Sequence, residues 1–154
     1  MSRSTQLFLL LLGLALAVYW PGLSGPLVFD DHQNLAPLKE WLAGNTSALR
    51  VILDNASGLL GRQVSMASLV LNVQALGPEI WGLKLGNLII HLVNGALVFV
   101  FLTRLSRAQA PIKDAQGTLL RWMPCLVAGI WLLHPLQVST TLYQTAFWAG
   151  FPIK

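Results

Sequence analysis

Apolar residues fall along the chain in three long blocks separated by polar segments. The first, Leu7 to Trp20, reads LFLLLLGLALAVYW and is stopped by Pro21-Gly22. Its strictly apolar part is shorter than the roughly 20 residues a membrane helix needs. That raises a cleaved signal peptide, with Ala15-Leu16-Ala17 as its small-x-small site. Taking in the uncharged Ser4 to Gln6 and continuing to Leu23 restores the length, and Tyr19-Trp20 stand where an interfacial aromatic belt belongs. The block is therefore read as an uncleaved signal anchor, transmembrane helix 1 over residues 1–23.

The second block, Ile80 to Leu102, is long enough for a second span over 80–103; Lys84, Asn87, His91 and Asn94 are its strongly polar interruptions. The third, Trp122 to Tyr143, predicts a span over 122–143. Pro124 lies near its start, and His134-Pro135 in its last third is where the helix is expected to bend or end. Proline has no amide hydrogen and disfavours a helical residue before it. In Arg62 to Leu76, RQVSMASLVLNVQAL, the residues Arg62, Ser65, Ser68 and Asn72 recur at helical spacing with apolar residues elsewhere. This predicts an amphipathic helix over 62–76, lying along a membrane surface or against the bundle and ended by Gly77-Pro78. The fold class expected is an all-α membrane protein, with three transmembrane helices plus an external amphipathic helix. No internal repeat or low-complexity tract is visible.

The cations orient this path. The linker 104–121 holds Arg104, Arg107, Lys113 and Arg121 against Asp114, which predicts a cytoplasmic loop. From Pro21 to Glu79 three cations (Lys39, Arg50, Arg62) face five acids (Asp30, Asp31, Glu40, Asp54, Glu79), a net −2. That predicts an external loop over 24–79, periplasmic or lumenal. With Arg3 inside, the chain runs in-out-in-out and ends in an external tail, 144–154.

Composition agrees with a lipid-facing chain. Of the 154 residues 55% are hydrophobic and 10% charged, against roughly a quarter charged in soluble domains. The formal charge of +4 does not point to nucleic acid, because the cations are scattered between apolar blocks instead of gathered on one surface. The single cysteine, Cys125, sits within the third block, so there is no disulfide framework or thiol-based metal site, and it reads as a small packed hydrophobe.

Three constellations carry candidate chemistry. Phe29-Asp30-Asp31-His32 follows the first span by about ten residues. Adjacent carboxylates repel unless they share a proton, a cation or a substrate hydroxyl, so a general base or metal ligand is one reading and a solvated turn the other. In the second block Lys84, Asn87, His91 and Asn94 fall within an arc of about 80° on a helical wheel. Such a polar face lines a cavity or glues helix to helix. Gly82 and Gly86 form a small-xxx-small pair on the same helix, and Lys84 is placed to snorkel toward the external end. His134-Pro135 sets a histidine either as a substrate ligand or as a donor to a carbonyl freed by the proline. No Gly-rich phosphate loop, HExxH or GxSxG is present. Asn45-Thr46-Ser47 and Asn55-Ala56-Ser57 match the N-glycosylation pattern on the external side.

Taken in order, VFDDHQNL, GRQVSMASLVLN, KLGNLIIHLVNGALVFVFL and LVAGIWLLHPLQVSTTLY resemble the N-terminal part of polytopic GT-C glycosyltransferases. Nearest are the transmembrane and tetratricopeptide-repeat O-mannosyltransferase-like proteins and their bacterial relatives. The likeness runs from Tyr19 to Tyr143. It rests on the acidic pair, the Arg-led helix, the N-x3-H-x2-N segment and the His-Pro. In that family an acceptor hydroxyl attacks a sugar held on a polyprenyl-phosphate donor. The resemblance therefore implies Asp30 or Asp31 as catalytic base, or as ligands of a divalent cation, with Arg62, His91 and His134 binding substrate. A carboxylate can take the acceptor proton as the glycosidic bond forms, and Arg suits the donor's phosphate. The implied surroundings are membrane lipid and the polyprenyl-phosphate sugar donor, in a bacterial inner membrane in preference to the endoplasmic reticulum. Relatives have many more spans and a Gln-Arg pair after the His-Pro, where this chain has Gln144-Thr145. A truncated member is the expectation, and independent catalysis by three helices is not. The competing reading is a non-enzymatic small membrane protein that assembles with partner transmembrane helices.

Overall fold

The computed structural model describes residues 2–25, 35–54, 63–108 and 115–142, with the side chains of 115–120 and 139–140 outside that description. The elements are α1 (Arg3–Tyr19), a 3-10 turn (Trp20–Ser24), α2 (Ala36–Leu42), α3 (Ala48–Leu53), α4 (Gln63–Leu76), α5 (Ile80–Ala108), α6 (Ala115–Leu133) and α7 (Leu136–Leu142). All regular structure among the described residues is helical, without strands.

Local chemistry explains the boundaries. Ser2 caps α1 by accepting from the Thr5 amide at 3.2 Å, and Ser47 caps α3 by accepting from the Arg50 amide at 3.3 Å. Pro21 turns the end of α1 into a tighter turn, while Gly77, at φ +86°, ends α4 just before Pro78.

Helices α1, α5 and α6 form one bundle. Phe8 stacks on Phe99 with ring centroids 4.1 Å apart, and Tyr19 meets His91 at 5.3 Å, so α1 and α5 run antiparallel. A Cβ on Gly129 would touch Leu11, and Tyr19 reaches Leu132, so α6 runs parallel to α1. Their shared core includes Ala15, Leu88, Cys125, Ala128 and Leu132, all fully buried. A second core joins α2, α3 and α4 to the start of α5 through Leu35, Leu38, Val51, Met66, Val70 and Leu83. The bundle's outer faces expose Leu10, Val18, Leu97, Phe101 and Ile130.

Among the described residues two helices are long and apolar enough to cross a membrane, Arg3–Ser24 and Ile80–Ala108; Gln63–Leu76 and Arg121–Leu133 are shorter apolar helices. The third apolar block departs from a single span over 122–143. Its helix stops at Leu133 and a separate α7 begins at Leu136, the break expected at His134-Pro135. The linker 104–121 is also less of a loop than expected, since α5 continues to Ala108 and α6 starts at Ala115. Within the expected external loop, α2 and α3 form a small helical cap. The 62–76 helix appears as α4, packed lengthwise on α5: Asn72 Nδ2 donates to the carbonyls of Gly82 and Leu83, both at 3.2 Å. Its apolar side chains are divided, with Met66, Leu69, Val70 and Val73 buried but Val64 and Leu71 exposed.

Candidate functional site

The most elaborate junction surrounds the break between α6 and α7. Pro135 lacks the amide hydrogen that a continuing helix would direct at the Trp131 carbonyl. The His134 amide reaches that oxygen at 3.4 Å in a tighter turn. One position on, the Leu132 carbonyl oxygen accepts two side-chain hydrogen bonds from two other helices, Tyr19 Oη at 3.2 Å and His91 Nε2 at 3.0 Å. A carbonyl only accepts, so His91 carries its proton on Nε2. The imidazole lies between two aromatic rings, 5.3 Å from Tyr19 and 4.8 Å from Trp131. His134 accepts from the Leu136 amide at Nδ1, 3.2 Å away, and so starts α7. The histidine that meets a carbonyl exposed by the break is thus His91, not His134.

The polar stripe of α5 divides between two tasks. Lys84 does not snorkel: it is 2% exposed and donates to Gly25 O at 2.8 Å and Gly22 O at 3.4 Å, tying the end of α1 to α5. His91 is buried, Asn87 half-buried and Asn94 exposed. These last three border a groove of about 390 Å³ between α4 and α7, whose other polar contributors are Ser65, Ser68 and Gln137, with Trp131 on its wall. Ser68 Oγ donates to the Ser65 carbonyl at 2.8 Å. An apolar cleft of about 310 Å³ adjoins it, sharing Ser68 and Asn87 and walled by Leu71, Ala75 and Ile89. Gly82 and Gly86 lie under α4 in this arrangement. Gly82 approaches Leu76, and a Cβ on Gly86 would collide with the Asn72 amide. The glycine pair therefore packs within the chain, against α4.

Of the residues that sequence reasoning assigned to chemistry, Asp30, Asp31 and Arg62 lie outside the described residues. His91 is brought to the groove, with Nε2 committed to Leu132. His134 is exposed and holds the start of α7; Gln137, one turn on, faces the groove. Among the described residues no group of three His, Cys, Asp or Glu could hold a metal. Tyr19, Trp131 and Gln137 went unassigned as site residues. Trp131 sits inside an apolar block and Gln137 just past its break, and nothing in the residue pattern distinguishes them. Ser65 and Ser68 were legible as the polar side of the 62–76 helix. No family model, curated protein or solved structure matches this chain.

Proposed function

We propose that this chain is the membrane-embedded segment of a GT-C type glycosyltransferase. Such an enzyme moves a sugar from a polyprenyl-phosphate donor to a protein or glycan acceptor at the external membrane face. In this reading α1, α5 and the α6–α7 unit are three passes through a bacterial inner membrane, with the N-terminus inside and α4 packed as an external amphipathic helix. The alternating directions of α1, α5 and α6 and the apolar side chains on their outer faces support it. Soluble domains rarely leave so much contiguous apolar surface uncovered.

One observation carries the functional part. Both flanks of the segment that contains Asp30 and Asp31 are fastened beside the start of α5, Gly25 by the Lys84 ammonium and Leu35 in the same apolar cluster as Leu83. The polar groove opens farther along the same helix. Base-assisted attack on a lipid-linked sugar requires a proton acceptor near the membrane face and a site that orients the incoming hydroxyl, and the groove is the candidate for the second. Asp30 or Asp31 is the base or cation ligand in this proposal, and Arg62 meets the phosphate. The competing reading, assembly with partner helices, loses its small-residue face, since α4 covers Gly82 and Gly86.

The test is sugar transfer from a polyprenyl-phosphate donor in membranes that carry the chain, compared with the Asp30→Asn and Asp31→Asn variants. Loss of wild-type transfer in either variant supports the enzyme. Unchanged transfer in both sinks it.

A further inference from the structure

We infer that the groove between α4, α5 and α7 is a binding site for an uncharged, hydroxyl-rich ligand, a saccharide, and that it is not the site for the donor's phosphate. The inference rests on the glycosyltransferase reading and assigns a ligand class to a groove that the reading leaves unassigned.

The lining chemistry argues it. The polar groups here are the amides of Asn87, Asn94 and Gln137, the hydroxyls of Ser65 and Ser68, and the imidazole of His91, whose Nε2 is taken by the Leu132 carbonyl. Each amide offers a carbonyl acceptor and two N–H donors, the Ser65 hydroxyl offers both roles, and the Ser68 hydroxyl, its proton given to the Ser65 carbonyl, offers an acceptor. This pattern matches a sugar hydroxyl, which likewise donates and accepts. A phosphate group needs cations or a cluster of donors without acceptors, and among the described residues no Lys, Arg, Asp or Glu lines the groove. Of the nearby cations, Lys84 is turned away toward Gly22 and Gly25.

Two further features fit a pyranose. At about 390 Å³ the groove lies within the range of small-molecule sites, largely apolar with a few placed polar groups. Trp131 supplies a flat apolar wall for the C–H face of a sugar ring, and its indole is held by stacking on His91, itself fixed by the Leu132 carbonyl. The groove also sits level with Tyr19, the aromatic residue at the end of the first span, where the head of a membrane-bound ligand would meet the protein.

Binding is measured on the full chain in lipid nanodiscs by calorimetry, with hexyl glucoside, methyl glucoside and hexyl phosphate as probes. The expected result is saturable binding of hexyl glucoside that weakens about tenfold in Asn94→Leu and again in Gln137→Met, each removing about one or two hydrogen bonds. Hexyl phosphate should bind at least tenfold more weakly. Asn94 is exposed, so its variant tests binding without disturbing the core; unchanged circular dichroism checks this. Equal binding of methyl and hexyl glucoside assigns recognition to the sugar alone, and tighter binding of the hexyl form brings in the adjoining apolar cleft. Equal or tighter binding of hexyl phosphate, or no saturable binding of either glucoside, overturns the inference. So does a result in which Asn94→Leu leaves glucoside binding intact but dissociates an oligomer, since the groove would then be a helix-docking face. Transfer that survives while glucoside binding fails would remove the groove assignment and leave the glycosyltransferase reading standing.

Discussion

His91 Nε2 donates a hydrogen bond to the Leu132 carbonyl oxygen at 3.0 Å, and the same oxygen accepts from Tyr19 Oη at 3.2 Å. One backbone atom thereby joins α1, α5 and α6 at the point where α6 stops. The sharing makes a specific energetic prediction. His91→Leu should destabilise the bundle by about 1 kcal/mol, and Tyr19→Phe by about half that, in keeping with hydrogen bonds between membrane helices. The double variant should cost more than the sum, because either donor alone keeps the oxygen satisfied and only their joint loss leaves it without a side-chain partner. Reversible unfolding in mixed micelles, followed by circular dichroism, measures all three; strict additivity would falsify the shared-acceptor account.

Glycines on α1 and α5 should differ sharply in tolerance. Leu132 occupies the space a Cβ on Gly95 would take, and Asn72 occupies that beside Gly86. Gly95→Ala and Gly86→Ala should therefore each cost about 1–3 kcal/mol from overpacking. Gly13 has nothing within 4 Å of an added Cβ, so Gly13→Ala should be neutral or stabilising, by up to about 1 kcal/mol from helix propensity. Thermal midpoints of the three variants in one detergent decide the ranking.

Lys84 is buried, and its ammonium holds the carbonyls of Gly22 and Gly25. Lys84→Met keeps the stem and removes those bonds. Hydrogen exchange at Leu23 to Gly25 should accelerate by about tenfold or more, as the end of α1 loses its tie to α5, whereas the buried α1 positions around Phe8 should be unaffected. Uniform acceleration along α1 would instead mean global loosening.

Cys125 is fully buried in the α1–α5–α6 core and is the only cysteine in the chain. A water-soluble maleimide should leave it unlabelled in the folded protein and modify it at the rate of unfolding. Labelling at the rate of a free thiol under native conditions would contradict the packing of α6. Because no second thiol competes, the same reaction serves as the stability readout for the Gly95 and His91 variants.

Much of the helical scaffold could be read directly. The boundaries at Pro21, Gly77-Pro78 and His134-Pro135 follow from residues that cannot continue a helix, and a helix, α4 over Gln63–Leu76, stands where an amphipathic helix over 62–76 was expected, with Arg62 outside the described residues. The helices α2 and α3 were not foreseen. They are 7 and 6 residues long, and such short helices are held by packing Leu38 and Val51 onto α4, which leaves little periodic signal. The polar face of α5 was legible as a stripe, but its partition was not. A helical wheel treats Lys84, His91 and Asn94 alike, while their depths differ according to which neighbour passes at each turn.

The sequence by itself determined that the chain is helical, that its first two apolar blocks form helices long and apolar enough for a membrane, and where the helices must stop, because these depend on local hydrophobicity and on proline and glycine backbone chemistry. The tertiary structure decided which polar groups are consumed and which are left for a ligand. His91 and Tyr19 are drawn to the Leu132 carbonyl, Lys84 to Gly22 and Gly25, and Asn72 to the start of α5. Asn87, Asn94 and Gln137 are left around a groove. Apart from the Asn72 bond, that assignment depends on contacts between residues 41 to 113 positions apart, such as His91 with Leu132 and Tyr19 with Leu132. No local pattern encodes these contacts, since a buried hydrogen bond is satisfied by whichever partner the packing of the helices brings within reach.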